Sequence, residues 1–150
     1  MQVSDGMNYA PKGKPQPVVR PGEFVFSAVH LDHGHIYGMT NALLEAGGTL
    51  KYVYDPDPAK VERFLKAYPQ ATPARSEAEA LEDKETHMIC GAAVTSERCA
   101  LGLRAMAAGK DYFTDKAPLT TLAQLKKARS AVRRTGRKYA VYYGERLHSE

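Results

Sequence analysis

The sequence predicts an α/β fold, a doubly wound parallel sheet in a three-layer αβα arrangement. Three observations carry that prediction. Short apolar runs of strand length alternate with segments of helical period from Phe24 to Tyr143. The helical segments open on capping residues and close near glycine, which separates them from further strands. The order is strand–helix–strand throughout, the pattern of a parallel sheet covered on both faces.

The elements follow in order. Met1 to Glu23 carries Pro11, Pro15, Pro17 and Pro21 with Gly6, Gly13 and Gly22, so residues 1–22 read as an irregular arm and 23–150 as the folded domain. Phe24 to Val29 is an apolar, partly β-branched run suited to a buried strand. A polar turn covers His30 to His35. From Ile36 the apolar residues fall at helical spacing, through Met39, Leu43 and Leu44, until Gly47 and Gly48 stop the helix. Leu50 to Tyr54 is the second strand, with Asp55 at its C-terminal end.

Asp57 is a good N-cap and Pro58 a good first helical residue. Val61, Phe64, Leu65 and Tyr68 form that helix's apolar face. A short extra strand is read near Ala71 to Ala74. Ser76-Glu77-Ala78-Glu79 is a capping box for a short helix ending near Glu82. His87 to Gly91 is a buried strand. Ser96 is read as the cap of a helix through Leu101, Leu103 and Met106, ended by Gly109. Asp111 to Thr114 is a strand. Thr121-Leu122-Ala123-Gln124 is a second capping box, opening a helix that ends near Gly136. Tyr139 to Tyr143 is the last strand.

Composition bounds the function. The 150 residues suffice for one domain with a sizeable core. A net charge of +4 permits acidic ligands without implying nucleic acid. No apolar run is long enough to span a membrane and no signal peptide follows Met1, so the expected location is the cytoplasm. The two cysteines, Cys90 and Cys99, form no C-x-x-C and read as buried thiols. Lys126, Lys127, Arg129, Arg133, Arg134, Arg137 and Lys138 form a basic run without aromatic interleaving, which reads as a solvated face.

Phe24 to Asp55 is a strand–turn–helix–strand unit with an acid about twenty residues past the turn. In a Rossmann-like domain a dinucleotide's pyrophosphate sits at such a helix N-terminus, and the acid accepts hydrogen bonds from the adenosine ribose. The turn is a poor copy of G-x-G-x-x-G. His30 and Asp32 stand at the first two glycine positions, with Gly34 and His35 near the third. Of these residues only Gly34 can readily take a positive φ or allow close backbone approach. Asp32 would repel a pyrophosphate. Asp55 favours NAD over NADP, because a carboxylate there repels the 2′-phosphate. An alternative use of this stretch is an Asp-Pro-Asp-Pro turn in which Asp57 caps the next helix.

Ala107-Ala108-Gly109-Lys110-Asp111-Tyr112-Phe113-Thr114-Asp115-Lys116-Ala117-Pro118-Leu119-Thr120-Thr121 resembles the pattern A-G-K-H-V-x-x-E-K-P-L-A-x-T. That pattern belongs to the N-terminal domain of the glucose–fructose oxidoreductase/inositol dehydrogenase (Gfo/Idh/MocA) family of NAD(P)-dependent oxidoreductases. The resemblance covers about residues 23 to 148. Here Asp115-Lys116-Ala117 stands for Glu-Lys-Pro, and Ala93-Val94-Thr95-Ser96-Glu97-Arg98 stands for T-P-N-x-x-H, with Arg98 in the histidine's place.

The resemblance implies that this chain is the nucleotide-binding part of an oxidoreductase acting on a sugar, cyclitol or related polyol with NAD or NADP. It implies Lys116 as the catalytic residue, beside the nicotinamide. It places the cofactor against His30, Leu31, Asp32, His33, Gly34, His35 and Ile36, against Asp55 and Pro56, and against Ala92, Ala93, Val94, Arg98, Asp115 and Lys116. From spacing alone Lys116 is a solvated lysine at a strand end. The family's second α+β domain, which supplies most of the substrate pocket and the homo-oligomer interface, has no counterpart in the 150 residues, so this chain alone is expected to be inactive. Two other readings stand beside this one: a stand-alone dinucleotide-binding module, and a hydrolase-like metal site at His30 to His35. The metal reading lacks further ligands, since His87 and His148 are the only other histidines, and no metal is expected.

Overall fold

The computed structural model describes residues 16–144. The glycines and prolines at positions 6, 11, 13 and 15, and the Arg146-Leu147-His148 tail, lie outside the described residues. The sheet is six-stranded and all-parallel, in the order β3-β2-β1-β4-β5-β6. Its strands are β1 (Val25–Val29), β2 (Thr49–Tyr54), β3 (Thr72–Pro73), β4 (Met88–Gly91), β5 (Asp111–Asp115) and β6 (Tyr139–Tyr142). The helices between them are α1 (His35–Glu45), α2 (Pro58–Ala67), α3 (Glu77–Glu82), α4 (Arg98–Ala107) and α5 (Leu122–Thr135). This is the Rossmann-like doubly wound architecture, and each expected element is present.

The core lies on the two faces of the sheet. One cluster joins Phe26 and Val53 to Ile36 and Met39 of α1 and Phe64 of α2. The other joins Ile89 and Tyr112 to Leu101 and Ala105 of α4. Phe26 and Phe64 are fully buried, and each such side chain contributes about 1.5–3 kcal/mol. Cys90 and Cys99 are buried free thiols, and burial pushes both up from the ordinary thiol value. The seven basic residues between Lys126 and Lys138 are all exposed, as a solvated face requires.

Local chemistry explains most helix ends. The Asp57 carboxylate accepts from Ala59 N, with Pro58 opening α2. Thr121 and Gln124 form a complete capping box for α5, and Gly136 ends it at φ 67°. Three details differ from the sequence reading. Ser76 caps α3, but the Glu79 carboxylate turns to Arg75 instead of closing the box. The α4 helix begins at Arg98 with Glu97 as its cap residue and no side-chain cap bond. Ser96 instead gives its carbonyl to Gln124 of α5. Finally, Gly34 has an ordinary helical φ of −59°, and among the described residues the one non-glycine with a positive φ is His30, at 56°.

Candidate functional site

In a doubly wound sheet the ligand crevice opens at the C-terminal strand ends, where the strand order reverses. Here the reversal lies between β1 and β4. The turn after β1 is anchored to both neighbours. His30 N donates to Tyr54 O at 2.9 Å, Ala92 N donates to His30 O at 3.0 Å, and His33 N donates to Ala92 O at 3.1 Å. The His30 imidazole leaves the turn and meets Glu77 Oε2 at 2.5 Å, and Arg104 holds the same carboxylate at 2.6 Å. Burial raises the Glu77 carboxyl, but its bonds to Arg104 and His30 outweigh that and hold it below the usual carboxylate value.

Asp55 lies at the end of β2 with its side chain buried. Oδ2 accepts from Leu31 N at 2.7 Å, and Oδ1 accepts from Asp57 N at 2.9 Å. Both oxygens therefore brace the two turns that flank the crevice. On the rim, Lys60 Nζ meets Asp32 Oδ1 at 2.5 Å and stands 3.6 Å from Asp55 Oδ1. The bond to Asp32 raises the Lys60 ammonium above its usual value, with Asp55 and Asp57 adding to the effect. Lys60 is a residue of this candidate rim that the sequence reading did not count among the site residues. Its signal was its place three residues after the Asp57 cap, in the first turn beside the β2 end.

Two further strand ends complete the crevice. The Arg98 guanidinium donates to Ala93 O (2.6 Å), to Asp115 Oδ2 (3.1 Å), to Ala117 O (3.3 Å) and to Lys116 O. It is 3 % exposed. Arg98 thus joins the β4 loop to the β5 loop with its donors committed to the protein. Asp115, also buried, accepts from Lys116 N at 2.8 Å and faces His35 Nδ1 at 2.9 Å and His33 Nδ1 at 3.2 Å. Lys116 is half-buried at the end of β5, and its peptide bond to Ala117 is cis.

The structure therefore gathers Asp32, His33, Gly34, His35, Pro56, Val94, Asp115 and Lys116 round one end of the sheet. Leu31, Ile36, Ala92 and Ala93 reach that end through their backbone, their side chains being buried. The fit to a dinucleotide rests on the turn's outer face. A Cβ at Gly34 would meet nothing within 4 Å, so an anion can approach the α1 N-terminus closely. The Asp32 charge at that approach is already paired with Lys60.

These features define a Rossmann-type nucleotide-binding domain. The chain belongs to the oxidoreductase family with an NAD-binding Rossmann fold (Gfo/Idh/MocA), whose model matches residues 30–143. A nicotinamide dinucleotide is the cofactor class of that fold. Among solved structures, a protein from Erwinia carotovora atroseptica SCRI1043 assigned as an oxidoreductase is 39% identical, with a TM-score of 0.80 over 82% of this chain. This chain covers 37% of that one. Biliverdin reductase from Synechocystis sp. PCC 6803, solved with biliverdin and NADP+, is similar in fold at 18% identity and TM-score 0.69, over 82% of this chain and 39% of its own. The WlbA dehydrogenase from Bordetella pertussis, solved with NADH and UDP-GlcNAcA, is similar at 16% identity and TM-score 0.72, over 82% of this chain and 37% of its own. No curated protein matches the chain significantly. Among the described residues no helix is long and apolar enough to cross a membrane.

Proposed function

We propose that this chain is the dinucleotide-binding part of a cytoplasmic oxidoreductase acting on a sugar, cyclitol or related polyol, with NAD preferred. The observation that carries the reading is the meeting of the α1 N-terminus, the β2 end and the Asp115–Lys116 strand end at the sheet's reversal point. The diphosphate rests against His33, Gly34 and His35, and the adenosine ribose lies toward Asp55 and Pro56. Lys60 is surrounded by Asp32, Asp55 and Asp57, so the β2 end carries more negative than positive charge and disfavours a 2′-phosphate.

When bound, the nicotinamide ring supplies the hydride acceptor or donor. In this reading Lys116 hydrogen-bonds the substrate hydroxyl and assists departure of its proton. The substrate's other wall, and a homo-oligomer contact, would come from a further domain of the kind the family resemblance implies. Nucleic acid and membrane are not partners in this reading. Calorimetric titration of the chain with NAD and with NADP tests it. NAD should bind more tightly, and the absence of binding to either would remove the reading.

A further inference from the structure

We propose that His33, His35 and Asp115 form a binding site for one divalent cation of the zinc class. The inference does not rest on the dinucleotide reading. His33 lies in the turn after β1, His35 is the first residue of α1, and Asp115 is the last residue of β5. Their ligand atoms all lie within 4.8 Å of one another. Counting imidazoles along the chain leaves the turn short of ligands. The topology supplies the missing carboxylate from 80 residues away.

Asp115 stands in contact with both imidazoles, so the three groups face one point that a cation could occupy. The His35 backbone N–H donates to the lone pair of His33 Nδ1 at 3.2 Å, a long bond that a cation taking that lone pair would replace. The same nitrogen stands 3.2 Å from Asp115 Oδ2, which is also an acceptor. Two acceptors at this separation repel unless a cation or proton lies between them. Asp115 has the capacity to coordinate one. Arg98 occupies one acceptor position on Oδ2 and Lys116 N one on Oδ1; the second position on Oδ1 faces His35 Nδ1 at 2.9 Å and would pass to the ion, as would the second on Oδ2. Those two bonds also hold the carboxylate in place, as the outer partners of a metal ligand do.

The donor set selects the ion. Two imidazoles and one carboxylate suit zinc, cobalt or iron(II) better than calcium or magnesium, which take oxygen ligands. Around zinc at about 2.0–2.2 Å, tetrahedral ligand atoms lie about 3.3–3.6 Å apart. The 2.9 and 3.2 Å separations to Asp115 need only a slight opening, and all three ligand atoms lie within 4.8 Å of one another. The His33 side chain is 51% exposed, so solvent reaches this side of the cluster and a fourth ligand has access. Arg98 offsets the carboxylate charge, so moderate affinity is expected.

The test uses the whole chain, stripped with chelator, desalted, and titrated with zinc chloride by calorimetry without dinucleotide. One zinc per chain is expected, and cobalt(II) should give visible ligand-field bands. His33→Ala and His35→Ala should each weaken zinc binding by at least about tenfold. Circular dichroism of these variants establishes that they remain folded. Asp115→Asn should weaken binding likewise, but the two histidine variants decide if it misfolds. Absence of stoichiometric zinc, or unchanged uptake by the His33→Ala/His35→Ala double variant, would overturn the site. A separate NAD titration of metal-free chain keeps this outcome distinct from that of the cofactor reading.

Discussion

Arg98 Nη2 lies 3.1 Å from Asp115 Oδ2, with both side chains almost wholly buried. The pair joins the start of α4 to the end of β5 across 17 residues of sequence. Each partner is satisfied by further bonds, so the pair holds the crevice in shape. A residue expected to contact cofactor is therefore a brace beneath the site.

Removing that brace should be costly. Breaking a buried pair by deleting one partner typically costs about 3–5 kcal/mol, because the other charge is left uncompensated. Arg98→Ala should lower the urea midpoint by a corresponding amount at unchanged m-value. A loss below 1 kcal/mol would show that the loop ends are held by other contacts.

Asp55→Ala tests a different brace. It leaves the buried Leu31 N–H without its acceptor, which costs about 1–3 kcal/mol. NAD affinity should fall in the same variant. Binding and denaturant unfolding measured together separate a variant that is only less stable from one that has also lost affinity. Unchanged NAD binding would take Asp55 out of the site.

Gly102 lies where α4 crosses β5. A Cβ there would fall 2.5 Å from Tyr112 Cδ1 and 2.7 Å from Tyr139 Cε2. Gly102→Ala should cost about 1–3 kcal/mol through overpacking. A melting temperature at or above the wild-type value would contradict this packing.

The Glu77 carboxyl is held below its ordinary value by Arg104 and His30 against the opposing effect of burial. A carboxyl with a lowered folded-state value stabilises the fold above its unfolded value, about 4.3, and loses that contribution as pH falls through the folded value. Stability should therefore decline below about pH 4.3. Glu77→Gln should be less stable at neutral pH and show a shallower acid slope. Chemical denaturation across this range reads both effects, and an unchanged slope would sink the assignment.

The proposed reaction makes a testable demand on Lys116. The 150-residue chain alone should bind NAD without oxidising polyols, because orientation of the substrate, worth about 7–11 kcal/mol in the best cases, needs a second wall. In a chain that also carries a second domain, Lys116→Ala should lower kcat strongly and leave NAD affinity nearly unchanged. Absorbance of the reduced cofactor over a panel of sugars and cyclitols measures both expectations. Turnover by the chain alone, or an unimpaired variant, would refute the mechanism.

The strands were legible because buried parallel strands need continuous apolar runs, as in Phe24 to Val29. The Asp57 and Thr121 caps were legible because capping is local chemistry. Ser96 misled because a cap also needs its loop to turn the right way. His30 could not be recognised as the strained residue of the turn, since its backbone is held by Tyr54 and Ala92, which are distant in sequence. For the same reason the direct contact of Asp115 with His33 and His35 was hidden, although the resemblance had put all three against one cofactor. Only the strand order brings together groups separated by 80 residues.

Because every strand runs the same way, the crevice occupies one end of the sheet and leaves the other end to different work. There Lys51 joins Asp83 and Glu85, Lys110 donates to Asp83 O, and His87 accepts from Val25 N. A depression of about 640 Å³ at that end is lined by Gly22, Thr49, Lys51 and His87, away from the chemistry. Mutational tolerance should divide along this axis. Changes near Lys51 and Asp83 should alter how long the protein survives while leaving ligand choice intact, and changes at the turn ends should redirect recognition on a scaffold that persists. New specificity can then evolve at one pole of the domain while robustness accumulates at the other.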